Sequence, residues 1–191
     1  MSTQHLNPAD QATRETVGVT IIYEDRATGL RARRFSDMLV AALGCEDRHA
    51  LSCWRCELIT LPPIAREMAR DAANSEFVIL SLCGQASFSA TMKEWIESWL
   101  LAGNRPASLI ALFDPARSIA PRAERDRRYL RRLAQEAGVA FFAHCAAGSM
   151  SLEVNPPEEH PTPQPLLRSR PRLGAFRTAS AVAAILTSAV A

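Results

Sequence analysis

Three groups of residues in the chain have types and spacings that do chemistry. Glu24 and Asp25 follow one apolar run and Asp114 closes another. Together they offer the carboxylate oxygens that a magnesium ion takes; the plainer role is to cap neighbouring helices, whose N-termini attract negative charge. Cys83 and His144 form the second group. A nucleophile needs a base close by, and His144 is the histidine placed to supply one for the Cys83 thiol. Ser81, Gly84, Gln85 and Ser87 surround Cys83 in a polar loop able to bind a small ligand or to cap the helix that follows. The third group, Cys45, His49, Cys53 and Cys56, reads CxxxHxxxCWRC and offers soft ligands of the kind zinc takes. Its partners lack the regular paired knuckles of a structural zinc site. Cys53 and Cys56 also sit an odd number of residues apart at a strand, which sends them to opposite faces, so inert thiols are the expectation.

The elements that must hold these residues alternate along the chain. Residues 17–23, VGVTIIY, form a β-branched run of the type buried on both faces of a parallel sheet. A helix is expected over 30–43, with Thr28 as its N-cap and Gly44 as its terminator. A second strand is expected over 54–61, and Pro62-Pro63 then open a helix that reaches about residue 73. Next come a strand at 77–82, a helix from about 89 to 102 carrying Trp95 and Trp99 on its core face, and a strand at 108–113. Pro121 opens a helix that closes at Gly138, and residues 139–142 make the last strand. Such alternation predicts an α/β fold: a three-layer, doubly wound, five-stranded parallel sheet with helices on both faces.

Residues 1–16 are polar and aperiodic and read as a disordered arm, and 17–146 are the folded domain. Residues 147–173 are a Pro- and Arg-rich linker. The apolar, Ala-rich segment 174–191 is expected to fold back as the helix that the sheet edge otherwise lacks. The formal charge of +2 argues for no polyanionic partner, and the arginines of 122–132 alternate with acids as on a solvated helix face, so nucleic-acid binding is not expected. The five cysteines lack a secreted framework and no secretory leader pattern precedes them, which predicts reduced thiols in a cytoplasm. No run of about 18 apolar residues is present to span a bilayer.

With these strand-end residues in view, the chain resembles two families that share the flavodoxin-like fold, with strand order 2-1-3-4-5. Its element order is similar to that of response-regulator receiver domains, and IIYED looks like their metal-binding acidic pair at Glu24 and Asp25. The third strand ends in Ser81-Leu82 where a receiver has its phosphorylated aspartate. The fourth ends in Phe113-Asp114 in place of a hydroxyl residue, and the fifth in His144 in place of lysine. The resemblance therefore implies a degenerate receiver. The stretch FVILSLCGQASFSATMKEWIESWL resembles flavodoxins and NADPH-dependent FMN reductases, which implies FMN as cofactor. The first loop, EDRATG, departs from them by setting two carboxylates beside the place of the flavin phosphate, a repulsion of about 1 kcal/mol or more each at short range.

The expected function is a cytoplasmic, non-catalytic, receiver-like signalling module that binds a protein partner. The alternative is an FMN-dependent oxidoreductase. A small hydrolase or transferase using Cys83 or a carboxylate-bound magnesium is a third reading.

Overall fold

The computed structural model describes residues 16–84, 87–101, 106, 108–114, 121–144 and 182. Five parallel strands form one sheet: β1 (Val17–Tyr23), β2 (His49–Arg55), β3 (Phe77–Leu82), β4 (Ser108–Phe113) and β5 (Ala140–His144). Their order is β2-β1-β3-β4-β5, so the winding reverses between β1 and β3. The helices are α1 (Arg26–Leu43), α2 (Pro62–Asn74), α3 (Ala90–Leu100) and α4 (Pro121–Ala137). This is the flavodoxin-like arrangement.

Period-two alternation divides the core into two layers. Val19, Ile21, Ile79, Ile110 and Leu112 face α1, where Phe35, Leu39 and Val40 cover them. Ile22, Val78, Leu80, Leu109 and Phe113 face the other way, toward α2, α3 and α4. Both central strands, β3 and β4, are buried at every position. Burying each large apolar side chain there contributes about 1.5–3 kcal/mol, which is why an unbroken apolar run is stable only between two helical layers. The tryptophans belong to this core. Trp95 and Trp99 pack edge to face at 5.6 Å, and the Trp95 indole donates to the Ala65 carbonyl at 2.9 Å.

The structure corrects three of the expected boundaries. Helix α1 begins at Arg26, four residues before the expected start, because Asp25 rather than Thr28 is the N-cap. Thr28 occupies the third helical position, where its Oγ1 accepts the Asp25 backbone N–H at 2.8 Å and completes a capping box. Strand β2 covers His49–Arg55, not 54–61, and the apolar stretch Cys56–Thr60 is a 3-10 helix that buries Ile59. An edge strand has one neighbour and half-exposed faces, so it lacks the continuous apolar run that marks a central one. Strand β5 is shifted to Ala140–His144, which puts His144 in the strand itself rather than beyond it.

The arm at 1–15 and the linker at 147–173 lie outside the described residues, as does the segment 174–191 apart from Val182. That one residue is helical, fully buried, and clustered with Phe35, Leu112 and Phe142 on the α1 side of the sheet. No helix among the described residues is long and apolar enough to cross a membrane.

Candidate functional site

In an open parallel sheet, ligands bind beyond the carboxyl ends of the strands where the winding reverses. Here that point lies between β1 and β3, and a cavity of about 240 Å³ opens there on the α2–α3 side. Glu24 reaches it from the end of β1, Cys56 and Thr60 from the 3-10 helix, and Ser87, Ser89 and Thr91 from the start of α3. Leu82, Phe88 and Met92 supply an apolar floor.

The acidic pair does not converge. Glu24 continues the parity of Ile22, turns toward the cavity, and accepts the Cys83 backbone N–H at 2.5 Å. Asp25 points the other way and caps α1, its Oδ1 accepting the Thr28 amide at 2.8 Å. Those hydrogen bonds from Thr28 hold the Asp25 carboxyl below the usual carboxylate range. Asp114 lies half-buried beyond β4, its amide bonded to the Leu82 carbonyl at 3.0 Å. Two adjacent residues at a strand end project to opposite sides, so the pair that resembles a metal site in the sequence is split across the sheet.

A cation does reach the strand ends, and it is one that the sequence reading missed. Arg31 of α1 lays its guanidinium across β3 and β4. Its Nη2 donates to the Leu82 carbonyl at 2.7 Å, the Leu112 carbonyl at 3.1 Å and the Ser81 hydroxyl at 3.2 Å. Ser81 in turn donates to the Thr28 carbonyl at 2.8 Å, tying the start of α1 to β3. Burial pulls the Arg31 pKa below its ordinary value, against the opposing attraction of Asp114, then Asp25, Cys83 and Glu24. One signal could have found it. The buried positions of α1 run through Thr28, Ala32, Phe35 and Leu39, and Arg31 is three residues from Thr28 and four from Phe35, on the flank of that stripe.

Cys83 follows β3 and His144 closes β5. Strand β4 runs between β3 and β5, and the register sets His144 beside Leu112 and Leu112 beside Ser81. Two strand spacings, about 10 Å, therefore separate the end of β3 from β5. His144 is half-buried with no hydrogen-bond partner at Nε2, and burial, then the Arg31 charge, lowers its pKa. Gly84 takes a left-handed φ of 69° directly after Cys83, the geometry that turns the chain out of the strand. Ser87 lines the cavity, and Gln85 lies outside the described residues.

The four candidate zinc ligands are dispersed as well. Cys45 is buried and donates to the Val40 carbonyl at 3.4 Å, and His49 Nδ1 lies 2.8 Å from the Glu46 carbonyl. Cys53 is exposed on the α1 side of β2, whereas Cys56 lines the cavity on the other side, its thiol pushed up to about 12 by burial. Among the described residues, no three His, Cys, Asp or Glu side chains gather as a metal would require. Arg122, Arg125, Arg128 and Arg132 of α4 are exposed, with Arg128 paired to Glu124 at 3.1 Å and Arg132 to Glu136 at 3.6 Å, whereas Arg127 and Arg131 are half-buried.

Fold and strand-end geometry define the class of this chain as a flavodoxin-like, doubly wound α/β protein. No protein-family model matches its sequence, and comparison with curated proteins finds no match.

Proposed function

We propose that this chain is a non-catalytic, receiver-like module that signals by binding a protein partner. The observation that carries this reading is the Arg31 guanidinium, which sits on the carbonyls of Leu82 and Leu112 beside the acidic strand ends. In the receiver resemblance that charge comes from a metal ion and a lysine. Here a single arginine from α1 supplies it permanently, and the acids are held apart as a helix cap and an amide acceptor. The third strand ends in Ser81-Leu82, with no carboxylate to accept a phosphoryl group.

The residues do not fit a flavin phosphate at the first loop. The amide of Thr28, at the α1 N-terminus where an anion would dock, is taken by the Asp25 carboxylate. Two measurements test the proposal. Treatment with acetyl phosphate and magnesium should leave the intact mass unchanged, and a stoichiometric phosphoryl adduct would overturn the reading. A thermal-shift panel of FMN, nucleotides and divalent cations should be flat, since a micromolar binder at millimolar ligand would add about 4 kcal/mol of stability.

A further inference from the structure

We propose that the cleft between α1 and the edge strand β2 docks an acidic, extended segment of a partner protein; the proposal rests on the partner-binding reading above. The cleft is distinct from the cavity at the winding reversal and lies on the opposite face of the sheet. It encloses about 490 Å³, with Arg26, Leu30 and Arg33 of α1 on one wall, Cys53 and Arg55 of β2 on the other, and Tyr23 at its base. Helix α1 packs on β1 and β3 and leaves Cys53 and Arg55 exposed.

Charge selects the occupant. Three guanidiniums line the cleft against one carboxylate, Asp25, whose Oδ1 is engaged by the Thr28 amide. Arg33 pairs with Asp37 at 3.1 Å and Arg55 with Glu57 at 3.0 Å, and all four side chains are at least half exposed. Exposed pairs of this kind contribute about 0–1 kcal/mol, so an incoming carboxylate exchanges with them at little cost and can bind a guanidinium through both oxygens.

The apolar contribution and the backbone narrow the partner further. Leu30 is 54% exposed, the most exposed large apolar side chain among the described residues, and it stands between Arg26 and Arg33 along α1. Among the described residues β2 pairs only with β1, which leaves its outer edge open to an added strand. A segment paired there turns every second side chain toward the cleft. Acidic residues at those alternate positions meet Arg55, Arg33 and Arg26, and one apolar residue among them covers Leu30. A nucleic acid would satisfy the same guanidiniums, but its backbone has no amides and carbonyls to match the strand edge.

The test uses the full chain and a fluorescein-labelled peptide of about ten residues, glutamate alternating with valine and one leucine. Fluorescence anisotropy should show saturable binding at or below about 1 mM that weakens as salt shortens the screening length. Reversing the cleft charge with Arg26→Glu, Arg33→Glu and Arg55→Glu should weaken binding at least tenfold, about 1.4 kcal/mol. Arg128→Glu on α4 should leave it unchanged. Amide resonances of the unaltered chain give a readout that does not depend on the variants folding: shifts should concentrate in His49–Arg55 and the first turns of α1.

No binding up to about 1 mM would overturn the proposal. So would equal weakening by Arg128→Glu, shifts confined to other elements, or tighter binding of a single-stranded DNA of similar length. If the peptide fails while the acetyl phosphate and ligand tests stay negative, only this surface falls. A phosphoryl adduct or a flavin-induced shift would remove the partner-binding reading itself.

Discussion

The Arg31 guanidinium on α1 donates to the carbonyl oxygen of Leu82 at 2.7 Å, 51 residues further along the chain. The same nitrogen reaches Leu112 on β4, so one side chain fastens a helix to the ends of two central strands. Replacing it with methionine keeps much of the volume and removes every donor. The Leu112 carbonyl then loses this partner, and a buried acceptor left unsatisfied costs about 1–3 kcal/mol. Arg31→Met should therefore lower unfolding stability by about 2–3 kcal/mol in denaturant titration. Arg31→Lys, which keeps the charge on a shorter stem, should lose less. Equal stability of Arg31→Met and the unaltered chain would refute the fastening role.

Asp25 and Thr28 cap α1 reciprocally, and that arrangement fixes a second outcome. Asp25→Ala should cost about 1 kcal/mol, the usual value of an N-cap. The Asp25 pKa is lowered by its bonds to Thr28. A depressed carboxyl contributes stability that is present above its unfolded pKa and lost as pH falls through the folded value. The charge-dependent part of the capping contribution should consequently decline as pH falls below about 4, and the stability gap to Asp25→Asn should narrow there. A gap that stays constant down to about pH 2 would contradict the assignment.

Central strands and proline-opened helices were legible because a single residue type or an unbroken apolar run decides them. Residues 77–82 and 108–113 had nowhere to go but the middle of a sheet, and Pro62 and Pro121 could only begin helices. The edge strand was not legible, because half of its residues are polar and the stronger apolar signal, Leu58 to Leu61, belongs to a 3-10 helix and its end. At the site, the positions of Glu24 and Asp25 could be read, and strand parity separates them, but the donors that fix them could not. A carboxylate's direction depends on which donor it meets: for Asp25 that donor is three residues away, for Glu24 it is Cys83, fifty-nine residues away. Arg31 was hidden among Arg26, Arg33 and Arg34, and only the phase of the buried stripe separates it from them.

Asp126 ties α4 to the loop before α3 through its Oδ1, which accepts the Phe88 amide at 3.3 Å. It is 5% exposed, and burial raises its pKa. A raised carboxyl favours folding below the unfolded pKa, and that contribution is lost as pH climbs through the folded value. At neutral pH the chain thus bears the cost of burying a charge. Asp126→Asn keeps an oxygen for Phe88 and removes the charge, so it should be neutral or stabilising by up to about 1 kcal/mol at pH 7. Asp126→Ala should instead cost about 1–2 kcal/mol and raise amide exchange at Phe88. Thermal melts of both variants at pH 4 and pH 7 check the sign: the advantage of asparagine should shrink at the lower pH.

His144 gives the opposite dependence. Its pKa is depressed, first by burial and then by the Arg31 charge. The unfolded chain therefore binds the proton more readily, and stability should fall as pH drops below the ordinary histidine value of about 6.5, by at most about 1.4 kcal/mol per pH unit for this one group. His144→Gln should flatten the stability profile between about pH 5 and 7. Arg31→Met should move the His144 titration part of the way back toward its ordinary value, since burial remains after the charge is gone. Proton NMR of the imidazole through a pH titration measures both. A His144 pKa that does not move in the Arg31 variant would show that the two groups do not sense each other across the sheet end.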